Sequence, residues 1–245
     1  MTETEDLFRY YYRELFGPEL ILIPNLKFRH FRFQVFSKTK RFVRLKDVVQ
    51  SKKELYRRIA AIVPVNAYFT PTRWLCPIFV SKTRGETDVL LFSSLYFDVD
   101  SDILNPASFD QAKVNTQCLI YWINDNYHRS PDLVVFSGRR GFHIYYWDWD
   151  TSIIRNMLPH DRIKNFVIER KRLLRELSTA RITVDEAVTI DPYRLMRIPN
   201  TLHGKTGMIA RVVEDLNKFD PLEEALAFER EVYLKTMKID LKNCF

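Results

Sequence analysis

LVVFSGRRGFHIYYW, residues 133–147, is two apolar runs joined by a short basic segment. Runs rich in Val, Ile, Phe and Tyr on either side of a Gly-containing turn predict a β-hairpin. The charge of the turn is unusual. An exposed hairpin tip is better served by Asn-Gly or Asp-Gly, whereas this one sets Arg139 and Arg140 between Gly138 and Gly141. Glycine permits positive φ and close backbone approach. Guanidinium groups carry permanent, forked charge that matches phosphate oxygens. Ser137 adds a neutral donor, and His143 begins the second strand, where the sheet fixes it. The segment suits a phosphate site; the alternative is an exposed turn with an incidental basic pair.

Upstream, DVLLFSSLYFDVDSD (88–102) contains a strand or a close pair of strands. Alternate side chains share a face, so Leu95, Phe97 and Val99 turn to a core while Tyr96, Asp98 and Asp100 turn the other way. Two carboxylates about 7 Å apart on one face repel each other unless a positive group lies between them. Oxygen ligands of this kind suit Mg²⁺ or Mn²⁺. The short acidic pair alone also fits a strand end with solvated acids. The apolar run before it implies a buried strand delivering acids to a cleft.

Downstream, DEAVTIDPYRLMRIPNTLHGKTGMIARVV (185–213) contains HGKTG, which invites a P-loop reading. That reading fails. Pro199 stands where the P-loop needs glycine, and a strand-like MIARVV follows where it needs a helix. What remains is a loop with Arg197, His203 and Lys205 close together, a second cluster of phosphate-compatible donors. Asp185 and Asp191 lie upstream, and either can add a third carboxylate.

The remaining pattern predicts helices over 3–16, 46–62 (with Val49, Leu55, Ile59 and Ile62 as its buried stripe), 109–127, 161–177 and 221–234. Strands are expected at 28–36 and 208–213. Tyr145 and Trp147 share the face of His143 and read as core rather than as base-stacking rings. In the 161–177 helix, Arg170, Lys171, Arg172 and Arg175 surround the polar side. They are a solvated face, or a track for template phosphates. Strands and helices in irregular order predict an α/β (α+β) fold with a mixed sheet.

Composition is that of a globular chain: 245 residues, 46% hydrophobic, 14% aromatic, 28% charged. The net charge of +7 is compatible with a polyanionic partner. Cys76, Cys118 and Cys244 are far apart and include no CxxC pair, which argues against a disulfide framework and a zinc ribbon. They suit a reducing compartment, so the expected location is intracellular, cytoplasmic or nucleoid-associated. No apolar run approaches the ~18 residues of a membrane span, and no membrane partner is expected.

The three motifs fit together by charge. Carboxylates bind divalent metal, metal neutralises a triphosphate, and Arg, Lys and His hold its outer oxygens. In this order, YFDVDSD, SGRRGFH and RLMRIPNTLHGKTG resemble the archaeo-eukaryotic primase superfamily, in particular its small catalytic subunits; the motifs span residues 96–207. The resemblance implies one primase-polymerase catalytic domain over 1–245, with an N-terminal α/β part to about residue 90 and the motif-bearing part from 91. It implies a mixed-sheet core with an RNA-recognition-like module and flanking helices. It places Asp98, Asp100 and Asp185 on the catalytic metal-binding positions, with Asp185 fitting better than Asp191. It places Ser137, Arg139, Arg140, His143, Arg197, His203 and Lys205 on the triphosphate contacts. The implied cofactors are two Mg²⁺ or Mn²⁺ ions. The implied partners are a single-stranded DNA template, NTP or dNTP, and a primase large subunit or further domains. The cysteine- and histidine-rich zinc stem usual in such subunits is missing, so no structural zinc is expected. The alternatives are an end-joining repair polymerase of the same superfamily, a nucleotide sensor, and a non-catalytic nucleic-acid-binding module.

Overall fold

The computed structural model describes residues 2–80, 88–101, 106–149 and 156–239. Asp102, at the end of the acidic stretch, and Cys244 lie outside the described residues. The chain opens with α1 (Glu3–Tyr10), where Thr2 Oγ1 caps the helix by accepting from the Glu5 amide. It continues through one widened π turn (Tyr11–Leu15). That turn aims two buried phenols at a distant loop. Tyr11 donates to the Asn200 carbonyl at 2.7 Å, and Tyr12 Oη accepts from the Leu202 amide at 3.1 Å.

The N-terminal sheet has the order β2-β1-β3-β9: β1 (Phe31–Val35), β2 (Arg41–Arg44), β3 (Asn66–Phe69) and β9 (Met196–Arg197). Phe31, Phe33, Ala67 and Phe69 are buried on one face. Helix α2 (Lys52–Ile62) is capped by Ser51, whose Oγ accepts from the Glu54 amide at 3.1 Å. It therefore starts later than the expected residue 46. Val49 is buried but precedes the cap, so it is not part of the helical stripe. A short pair, β4 (Arg73–Trp74) and β5 (Leu90–Phe92), follows.

The central sheet is β6-β8-β7, built from β6 (Leu95–Asp100), β7 (Leu133–Phe136) and β8 (Gly141–Tyr146). Helix α3 (Pro106–Tyr127) connects β6 to β7, and β8 then inserts between them. This is the split β-α-β arrangement. The sheet expected as mixed is antiparallel in every described pairing. The hairpin return of β8 separates the two strands that would otherwise run parallel side by side.

Both faces of the central sheet are covered. Leu95, Phe97, Val99, Phe142 and Ile144 pack with Leu119 and Ile123 of α3 and with Leu173, Leu174 and Leu177 of α4 (Pro159–Thr179). Tyr96, Val135, Tyr145 and Trp147 share the opposite cluster with Phe31, Phe33 and Phe69 of the N-terminal sheet. Tyr145 and Trp147 stack on each other at 4.7 Å inside that cluster, as core rather than base-stacking residues.

Three expectations are corrected. Arg170 is not on the polar side of α4. It is buried, its Nη2 donating to Ser93 Oγ at 2.6 Å and to the Ser94 carbonyl at 3.2 Å. Residues 208–213 are extended but form only isolated bridges, Leu202↔Ile209 and Val135↔Val212, because the segment pairs with a loop at one end and a strand edge at the other. The expected helix 221–234 breaks into α6 (Pro221–Glu224), α7 (Arg230–Val232) and a π turn (Tyr233–Met237). Between them, the Ala225 carbonyl accepts from the Ile209 amide and the Ala227 amide donates to Tyr233 Oη, which takes the backbone out of helical pairing. Helix α5 (Glu186–Ile190) completes the described α-helices.

Candidate functional site

Asp98 and His143 are direct cross-strand partners in the β6–β8 register, and Asp100 lies opposite Gly141. The acidic strand and the basic turn are therefore neighbours before any side chain is considered. Two glycines make this approach possible. Gly141 lies against β6 so closely that an added Cβ would stand 2.1 Å from the Val99 carbonyl oxygen. Gly138 has φ +85°, and a Cβ there would stand 2.7 Å from Cβ of His203. Without a side chain, the turn abuts the 203–207 loop, where Thr206 Oγ1 donates to the Gly138 carbonyl at 2.5 Å.

The loop is held from three sides. Asn66 Oδ1 accepts from Arg197 Nη1 at 2.6 Å and from the Gly204 amide at 2.8 Å. His203 Nδ1 accepts from the Lys205 amide at 3.1 Å, leaving Nε2 to carry the ring proton. Tyr11 and Tyr12 fasten its start. The result is a cleft of about 190 Å³ lined by Asp98, Asp100, Ser137, Arg139, Arg140, His143, Arg197 and His203, with Tyr68, Arg194, Leu195 and Met196. Eight residues singled out in sequence thus meet in one cavity.

Two do not line it. Lys205 is exposed, on the same loop as His203. Asp185 lines an adjoining pocket of about 500 Å³, together with Asp100 and Arg140. It stays close to the acidic strand, because its amide donates to the Asp98 carbonyl at 2.8 Å. Its Oδ1 caps α5 by accepting from the Val188 amide. Asp191 faces elsewhere, with Oδ1 accepting from the Tyr193 amide and its carbonyl accepting from Tyr96 Oη at 2.6 Å.

The electrostatics are polarised. Burial, with Asp100 and Asp185 close by, pushes the Asp98 carboxyl well above the ordinary carboxylate range. Burial and the guanidiniums of Arg197 and Arg194 push His143 down to about 3. It stands neutral, with Nε2 3.6 Å from Asp98 Oδ1. Burial and the neighbouring cations also hold His203 far below its usual value. Arg140 donates through Nε and Nη2 to Asp100 Oδ2 at 3.0 and 2.9 Å.

The donor set bears on divalent metal. Asp98 Oδ1 is buried with no hydrogen-bond partner, and two further acids raise its cost of ionisation. Among the described residues, no group of three His, Cys, Asp or Glu side chains is placed to hold a metal ion. Mg²⁺ does not require one. It is commonly bound by one or two carboxylates and completes its shell with water and substrate phosphate oxygens. An orphaned acid oxygen beside a second carboxylate, facing a basic wall, fits that mode.

Sequence reasoning missed Tyr68 and Arg194. Tyr68 follows Asn66 by two positions in NAYF, so strand alternation puts both on one face. Arg194 precedes Arg197 by three in RLMR, where no regular element marks its direction.

No family model matches the chain. It is 28% identical to the DNA primase small subunit PriS of Pyrobaculum arsenaticum, covering 93% of this chain and 84% of that protein. It is 25% identical to PriS of Archaeoglobus fulgidus, covering 90% and 83%. In fold it is similar to the polymerase domain of Mycobacterium tuberculosis Ligase D, solved in complex with DNA. The TM-score is 0.58 at 15% identity, over 97% of this chain and 88% of that one.

Proposed function

We propose that this chain, similar to archaeal primase small subunits over most of its length, is a template-directed nucleotidyltransferase that makes or extends primers on single-stranded DNA. The observation that carries the reading is the cleft itself. An acidic strand end, Asp98 and Asp100, meets a basic wall of Arg139, Arg140, Arg197 and two neutral histidines in one small polar cavity. That is the charge pattern of a metal-bound triphosphate.

In this reading Asp98 and Asp100 hold divalent metal, with Asp185 as the third carboxylate. Bound Mg²⁺ or Mn²⁺ supplies the positive charge that activates a 3′-hydroxyl and steadies departing pyrophosphate. The chain's own residues do the rest. Arg139, Arg140 and Arg197 neutralise the phosphate oxygens as charge shifts toward the leaving group. His143 and His203, kept neutral by burial, donate hydrogen bonds without adding charge. Ser137 and the turn amides orient the triphosphate for in-line attack. Lys205, exposed two residues after His203, meets the outer phosphate. The 3′-hydroxyl gives up its proton to solvent as its oxygen bonds to the α-phosphorus, and the bond from that phosphorus to the bridging oxygen breaks, releasing pyrophosphate.

The test is incorporation of labelled nucleotide on a single-stranded template in Mg²⁺ or Mn²⁺, with and without a primer, against Asp98→Ala and Asp100→Ala. New chains without a primer are expected of a primase, and extension alone of a polymerase. Binding with no product, indifferent to both substitutions, contradicts the enzyme reading.

A further inference from the structure

One rung of the N-terminal sheet crosses all four strands. Arg44 of β2 lies opposite Arg32 of β1, Arg32 opposite Tyr68 of β3, and Tyr68 opposite Arg197 of β9. Like charges directly opposite each other destabilise a strand pair, and among the described residues no carboxylate forms an ion pair with Arg32 or Arg44. The arginine pair is nonetheless built in. Buried His30 donates through Nδ1 to the Pro77 carbonyl at 2.7 Å, so its Nε2 accepts from Arg32 Nε at 3.1 Å. Arg32 is held through Nε, is half-buried, and lines an open pocket beside the strand.

The rung ends in the catalytic cleft, since Arg197 lines it and stands over the Tyr68 ring at 5.3 Å. Beside the rung lies a second pocket, about 510 Å³, whose walls include Arg32, Phe42, Tyr68 and Arg194. Phe42 is 43% exposed, and its ring is 6.3 Å from that of Tyr68. Tyr68 and Arg194 are common to both cavities. The acid in this pocket, Asp191, is engaged with the Tyr193 amide. Arginines without an ion-pair partner beside half-exposed rings are the chemistry of single-stranded nucleic acid: phosphates for the cations, base faces for the rings.

We infer that the Arg44–Arg32–Tyr68 rung is a track that carries the phosphodiester backbone of a single strand into the cleft. The inference rests on the nucleotidyl-transfer reading for what happens at the end of the track, but it concerns a separate surface.

The test is fluorescence anisotropy of labelled oligo-dT and oligo-rU across a salt series, using the whole chain and its Arg32→Gln/Arg44→Gln variant. Losing two phosphate contacts should weaken binding at least tenfold at low salt. It should also reduce the slope of log K against log salt by about 1.4, at roughly 0.7 per contact. Arg32→Lys/Arg44→Lys should restore the slope, and nucleotide uptake in Mn²⁺, read by equilibrium dialysis, should stay at the wild-type level. If Arg32→Gln lowers the melting temperature, exposed Arg44→Gln alone decides, with a slope change of about 0.7. Wild-type affinity and slope in these variants overturn the track. If instead the slope falls as expected but the wild-type chain forms no product, the track stands and the transfer reading fails.

Discussion

Arg140 is the residue at which structure and chemistry separate most cleanly. Its side chain is 36% exposed and is paired with a comparably exposed Asp100. Such pairs contribute about 1 kcal/mol or less. Arg140→Ala should therefore leave the melting temperature within a few degrees while reducing incorporation about a hundredfold or more, the scale of losing one charge-stabilising donor. Steady-state incorporation beside a thermal melt checks both halves. His143 behaves differently. It is 7% exposed, so His143→Ala removes a core ring as well as a donor, and a loss of activity there carries a loss of stability with it. That these residues meet in one cavity was legible in residue type and order, since SGRRGFH has too much charge for a simple turn. The burial of His143 was not, because alternation gives a face without saying what covers it.

At the scale of elements, the hairpin and the acidic strand stand or fall together. Gly141→Ala would drive a Cβ into the Val99 carbonyl, and strand backbone cannot give way without moving Asp98 and Asp100. A cost of about 2–4 kcal/mol is expected, the upper range for single substitutions, or a fall of roughly 5–10 °C in melting temperature for a chain of this size. Helix α4 gives the complementary case. Arg170 has two buried partners and lies over the Phe166 ring at 4.9 Å. Arg170→Ala should lower the melting temperature and leave the salt dependence of DNA binding unchanged, as a salt titration will show. The apolar stripe of α4 was readable from its period. The burial of Arg170 was not, because its partners, Ser93 and Ser94, lie about eighty positions away in sequence. The breaks at 225–229 escaped for the same reason: they depend on the Ile209 amide and the Tyr233 hydroxyl, both supplied by tertiary contact.

For the whole molecule, the fold class followed from alternating periods, and the ordering of three motifs pointed to one site. Invisible in the sequence was the second sheet, which takes β9 from the far end of the chain to join β3 and brings Arg197 into line with Tyr68, Arg32 and Arg44. The apolar clusters on both faces of the central sheet hold these parts together. EDTA should therefore abolish incorporation while shifting the melting temperature by about 1 °C or less, and added Mn²⁺ should restore activity. The central claim, that buried Asp98 serves metal-dependent transfer at the expense of stability, is tested most directly with Asp98→Asn. The measurement is single-nucleotide incorporation on a primed single-stranded template in Mn²⁺, beside a thermal melt of the metal-free protein. A loss of incorporation of about a thousandfold is expected, with a melting temperature equal to or above that of the wild type, because a neutral amide replaces a buried acid flanked by two others. Incorporation at the wild-type rate, or loss of activity only in step with unfolding, would contradict it.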